Sequence, residues 1–194
     1  MVTSSPDTAT AGPSLLARLA TDRRGVSAVE FALILPLMVL LFAGSSEFSE
    51  ALTVDRKVNQ FANTIGDLVA QRETMDTTEM NNILAAGEAI MLPYDATGVE
   101  VLVMAVNIAA NGDQTVAWAE VSNDVDPANG SAPPILVPAA IASPSTQMIV
   151  TRVRYTFESP FSDILSSITG KSAYDFEHVF MLRPRLGDSV VWTS

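Results

Sequence analysis

Glu30 sits where a carboxylate is expensive. Between Val26 and Gly44 only Ser27 and Glu30 are clearly polar, and an ionised side chain at the middle of a bilayer costs about 2.5–3.5 kcal/mol on insertion scales. An acid inside such a run calls for a counter-charge. Headgroup water is one source, because Glu30 lies only one turn into the run. A cut between Gly25 and Val26 is another: it would free the α-amine of Val26 four residues before Glu30, on the same face of a helix. Elsewhere, groups that could do chemistry are sparse. His178 is the single histidine, set in an apolar stretch without an HExxH motif or a second histidine to hold zinc, so its expected role is structural. No GxSxG elbow, GxxxxGK[ST] phosphate loop or GxGxxG fingerprint occurs. Asp124, Asp126 and Asn129 offer oxygen ligands at close spacing, but Pro127 and Ala128 break the pattern of a calcium loop. Cysteine is absent, which removes disulfides and thiolate chemistry. No catalytic acid pair stands out and no cofactor is implied.

The element that must carry Glu30 is a helix. The run from Val26 to Gly44 spans about 28 Å at 1.5 Å per residue, enough to cross a bilayer. Arg18, Arg23 and Arg24 precede it and Glu47 and Glu50 follow it, which orients the N-terminus towards the cytoplasm and the remainder outward. Up to Gly44 those three arginines balance Asp7, Asp22 and Glu30, so the net charge of -11 falls entirely on the exported part. An acidic surface of that kind repels phosphates and argues against nucleic acid as a partner. A cleaved secretory signal is the competing reading, kept open by Phe42-Ala43-Gly44-Ser45.

Residues 1–14, rich in Ser, Thr, Pro, Gly and Ala, are expected to be disordered, and Leu15 to Leu19 to make a short amphipathic turn. Pro36 predicts a kink in the spanning helix. Beyond Ser46 the spacing of Phe48, Leu52, Val58, Phe61, Ile65 and Leu68 extends the helix as a stalk whose apolar stripe packs on a sheet, with its membrane-proximal part also available to neighbouring subunits. Asp76-Thr77-Thr78-Glu79 has capping-box spacing and opens a second helix over 77–90, with methionines as core fillers. Val99 to Ile108 and Thr115 to Val121 flank an Asn-Gly-Asp turn and predict a hairpin. Residues 122–147, with Pro133-Pro134, Pro138 and Pro144, predict a long exposed loop holding a short helical piece at 136–142. Met148 to Phe157 is a third strand, 160–170 a loop with a helical turn at Ile164 and Leu165, and Tyr174 to Arg183 a fourth strand. The expected fold class is α+β: a long N-terminal transmembrane and stalk helix, a second helix and a roughly four-stranded antiparallel sheet. Boundaries fall as a leader over 1–25, a span over 26–44, a helical extension over 45–72 and an exported domain over 73–194.

Arg23-Arg24-Gly25 followed by Val26-Ser27-Ala28-Val29-Glu30-Phe31 resembles the processing site of type IV prepilins. The continuation AVEFALILPLMVLLFAGSSEFSEALTVDRKVNQFA is similar to the TadE-like minor pilins, or pseudopilins, of the tight-adherence (Flp-type) pilus; VRYTFESPF and MLRPR look like the end of that family. Phe31 stands where some relatives carry tyrosine. The resemblance implies cleavage between Gly25 and Val26 by a prepilin peptidase, Glu30 and Phe31 as the assembly motif, and partnership with other pilins and the assembly platform. It implies a single-pass inner-membrane protein with a periplasmic domain, acting in pilus assembly or priming and not as an enzyme. An uncleaved, anchored accessory or receptor domain and a type II secretion pseudopilin are the alternatives.

Overall fold

A computed structural model describes residues 24–159 and 173–193 together with Ser166 and Gly170. The expectations placed on residues 1–23, and the helical turn at Ile164 and Leu165, lie outside the described residues. Two compact units divide between Ser45 and Ser46. In the first, the described chain is the opening of α1 (Arg24–Ala70), which continues through Pro36. Its large apolar side chains are exposed, from Val26 (54 %) to Phe42 (70 %), and the helix is long and apolar enough to cross a membrane.

The second unit is α+β. After α1 come β1 (Thr74–Met75), α2 (Thr77–Met91), β2 (Glu100–Ile108), β3 (Gln114–Ser122), β4 (Thr146–Glu158), β5 (Ala173–Leu182) and β6 (Val191–Trp192). The four long strands form an antiparallel sheet in the order β3-β2-β4-β5. The hairpin turn is held by Asn111, whose amide donates to Asp113 Oδ2 and whose Oδ1 accepts the Asp113 N–H. Asp76 caps α2, its carboxylate accepting the Glu79 N–H at 2.8 Å. At the other end of α2, Lys57 Nζ donates to the carbonyls of Ile90 and Leu92, both at 2.7 Å, a cation against the negative end of the helix.

The helices cover one face of the sheet. Val54, Val58, Phe61, Ala62, Ile65 and Val69 of α1 and Met80, Ile83 and Met91 of α2 pack with Val101, Val103, Trp118, Ile149 and Val153. Phe48 and Leu52, expected in that stripe, are 66 % and 40 % exposed instead. The helix turns Ala51, Val54 and Val58 inward, and the first turns after Ser46 carry apolar side chains that their own sheet does not use. Close approach decides two positions: a Cβ on Gly66 would meet Thr151 Oγ1 at 3.0 Å, and one on Gly87 would meet Phe61 Cε2 at 2.1 Å.

The second face is covered in part by the segment between β3 and β4, which is the long and largely exposed loop expected of it. The loop is nonetheless seated on the sheet where Val137 (2 % exposed) joins Leu102, Met104, Val106, Ile108, Met148 and Val150 in a second core cluster. Paired hydrogen bonds hold it, Gln114 Nε2 donating to Val137 O at 2.8 Å and Gln114 Oε1 accepting the Val137 N–H at 2.7 Å. The helical piece at 136–142 is a single turn closed by the Ile141 and Ala142 N–H groups on Pro138 O. With its N–H and C=O both held by Gln114, Val137 can lie on the sheet without secondary structure.

The small parallel pair β1–β6 has no counterpart in the sequence reading. Residues 183–193 return along the helix-covered face, where Trp118 Nε1 donates to Val190 O at 2.7 Å, Val190 N–H to Gln147 Oε1 at 2.7 Å, and Arg185 N–H to Ala70 O at 2.7 Å. Trp192 lies 5.3 Å from Trp118, ring centre to ring centre.

Candidate assembly segment

The residues singled out in the sequence open α1. Gly25 has no neighbour within 4 Å of where a Cβ would stand, Val26 is 54 % and Phe31 65 % exposed, and Glu30 is exposed one helical turn after Val26. Glu30 has no hydrogen-bond or ion-pair partner among the described residues. Arg18 and Arg23 lie outside the described residues, and Arg24 is the first residue of the helix. This end of α1 is therefore a bare apolar rod carrying one carboxylate. Among the described residues nothing covers it, and an apolar surface of this kind is suited to lipid or to another chain.

Further along, α1 carries a second set of acids that the sequence reading treated as solvated. Glu47 was read as a polar mark of the helix leaving the bilayer, yet it is 2 % exposed. Its Oε1 accepts from the Tyr174 hydroxyl at 2.8 Å, while Oε2 is buried without a partner. That bond, with burial and the negative charge of Glu47 acting the same way, raises the Tyr174 phenol above its usual pKa. Two turns on, His178 Nε2–H donates to Asp55 Oδ1 at 2.8 Å, and Nδ1 accepts from the Asn59 amide at 3.3 Å. Asp67 then meets Arg185 and accepts from Gln71 Nε2 at 2.6 Å. Three acids of α1 thus engage, in chain order, three donors of the segment from Tyr174 to Arg185. His178 has the structural role expected of it, locking β5 against the helix. Spacing contained a usable signal: Tyr174, Phe176, His178, Phe180 and Leu182 share one face of β5, and all but His178 pack against the helix-side core.

Ionised groups on the other face anchor the loop. Arg152 Nη2 donates to Asp124 Oδ2 at 2.6 Å, with the two side chains only 11 % and 6 % exposed. Burial pushes the Asp124 carboxyl up, but the Arg152 hydrogen bond, the Val125 N–H and the charges of Arg152 and Arg154 together outweigh it and leave the pKa lowered. With its carboxylate committed to Arg152, Asp124 is not a free calcium ligand. Among the described residues no cluster of His, Asp and Glu could hold a metal ion.

Residues 25–65 match the family model described as TadE-like protein. No curated protein and no solved structure matches the chain. The matched residues take in the exposed apolar segment with Glu30 and the helix as far as Ile65 in the core, so the similarity to TadE-like proteins lies in this helix.

Proposed function

We propose that this protein is a minor pilin of a tight-adherence pilus, cleaved between Gly25 and Val26 by a prepilin peptidase and then used in assembly or priming of the filament. The TadE-like family is one of pilus-associated minor components with an N-terminal apolar helix, a structural and non-enzymatic kind of protein. The observation that carries the reading is the segment Val26 to Phe42, exposed along its length, inside the family match, with a single acid at Glu30. In this reading Gly25 and Val26 flank the cut, and the new Val26 amine, its own or a neighbour's, pairs with Glu30. The pair offsets the burial of charge and sets the axial register between helices. Arg18, Arg23 and Arg24 keep the leader in the cytoplasm and the acidic domain goes to the periplasm. The partners are the peptidase, other pilins and the assembly platform.

Glu30→Ala tests it. The variant should insert in the membrane and be cut as before, with incorporation into purified pili reduced at least about tenfold, as loss of a charged hydrogen bond predicts. N-terminal sequencing of the wild-type protein from its native envelope should begin at Val26. Normal incorporation of Glu30→Ala, or a mature chain still carrying Arg24-Gly25, refutes the proposal.

A further inference from the structure

Where the covering loop meets the end of β5, an open cleft of about 390 Å³ is lined by Ala140, Ile141, Ser143, Met148, Met181, Leu182 and Arg183. Its floor is apolar and adaptable. Met148 is 3 % exposed and belongs to the second core cluster, Met181 packs against that cluster, and Ile141 stands at the rim, 44 % exposed. Thioether side chains fit themselves to irregular apolar guests. The rim carries one cation: the Arg183 guanidinium, which donates to the Ser143 hydroxyl.

Arg183, like Arg56, differs from the other described arginines of this domain. Beyond Gly44 acids outnumber bases, which is why the net charge is -11, and Arg72, Arg152, Arg154 and Arg185 each have a carboxylate within 4.0 Å. Arg183 has none among the described residues. Its only hydrogen-bond partner there is a neutral hydroxyl, which leaves most of the guanidinium's donors open towards the cleft. An arginine fork beside an apolar hollow selects a carboxylate joined to an apolar group, because the fork pairs with two oxygens while the hollow takes the hydrocarbon.

We propose that this cleft is a binding site for the C-terminal residue of a partner polypeptide, an apolar side chain with its free α-carboxylate on Arg183. The pairing of one apolar side chain with one adjacent carboxylate is the chemistry of a chain end, and the net charge of -11 disfavours acids that lack the apolar half. The site lies on the loop side of the sheet, and its existence does not depend on the N-terminal processing proposed above.

The chain's methionines supply the readout. With methyl-13C methionine in the full chain held in lipid nanodiscs, the probes are acetyl-Ala-Ala-Leu with a free carboxylate and the same peptide amidated. The free acid should move the Met148 and Met181 methyl resonances saturably and leave Met75, Met80 and Met91 in place. The amide, and the free acid on Arg183→Gln, should bind at least about tenfold more weakly, the loss expected when a charged hydrogen bond is removed. Absence of any saturable shift at Met148 and Met181 overturns the proposal. Equal binding of the amide, or undiminished binding to Arg183→Gln, overturns it as well, since either would show that the arginine reads no carboxylate.

Discussion

Asp124→Ala should be among the most destabilising single changes in the domain, although it alters a loop residue. The Arg152 guanidinium is 11 % exposed and its Nη2 bond to Asp124 is 2.6 Å long, while its Nε is already buried without a partner. Removing the carboxylate strands a positive charge among the second core cluster's neighbours, and breaking one side of a buried ion pair costs about 3–5 kcal/mol. An upper bound comes from the alternative of peeling the loop away so that water reaches Arg152. That exposes Val137 and the side chains packed with it, at about 1.5–3 kcal/mol for each large apolar group, so neither route is cheap. Against a typical stability of about 5–15 kcal/mol this is a large fraction. The assay is urea unfolding of the full chain in mild detergent, followed by tryptophan emission, since Trp118 is 4 % exposed and stacked near Trp192. The pH dependence adds a second check. The Asp124 pKa is lowered on folding, so its contribution is complete above the unfolded value near 3.9 and disappears as pH falls through the lower folded value. The gap between wild type and Asp124→Ala should therefore persist from pH 7 down to about pH 4 and narrow below it. Replacing both partners, Asp124→Ala with Arg152→Met, should recover most of the loss. A cost under about 1 kcal/mol at pH 7, or a gap that does not narrow in acid, would refute the account of this pair as a buried, loop-anchoring bond.

Tyr174→Phe should cost about 1.5–3 kcal/mol, because Glu47 then has neither carboxylate oxygen satisfied at 2 % exposure; in wild type the raised Tyr174 pKa makes this contribution complete below about pH 10 and lost as pH rises through the folded value. Both parts can be read from unfolding midpoints at pH 7 and pH 11. Gly87→Ala gains about 1 kcal/mol of helix propensity but drives a Cβ to 2.1 Å from Phe61 Cε2, and overpacking of about 1–3 kcal/mol should win. A lower melting temperature for Gly87→Ala, largely restored by adding Phe61→Leu, is the expected calorimetric result.

Much of the domain was legible because it rests on local rules. The Asp76 cap starts α2 and the Asn-Gly-Asp turn joins β2 to β3, both where the sequence put them. The misread parts share a different origin. Val101, Leu102, Val103, Met104, Ala105 and Val106 are all buried, and such a continuous apolar run marks a strand covered on both faces, which a hairpin alone does not supply. Part of its cover was hidden by composition: the Pro-, Ala- and Ser-rich segment is largely exposed, but Val137 is seated on the sheet. The misplacement of Phe48 and Leu52 arose because a stripe chosen for large side chains passed over Ala51, which is the buried residue of that turn.

By itself the sequence determined what local propensity and solvent transfer enforce: a long apolar helix with one acid near its start, a capped second helix, strands with their turns, and the sign of the net charge beyond that helix. Only the tertiary structure decided which acids are not surface at all. Glu47 and Asp124 look like any other carboxylate in a domain of net charge -11, and their burial depends on Tyr174 and Arg152, which lie 127 and 28 residues away. A pairing across that distance is made by the fold, because the cost of burying a charge is set by what the chain brings next to it.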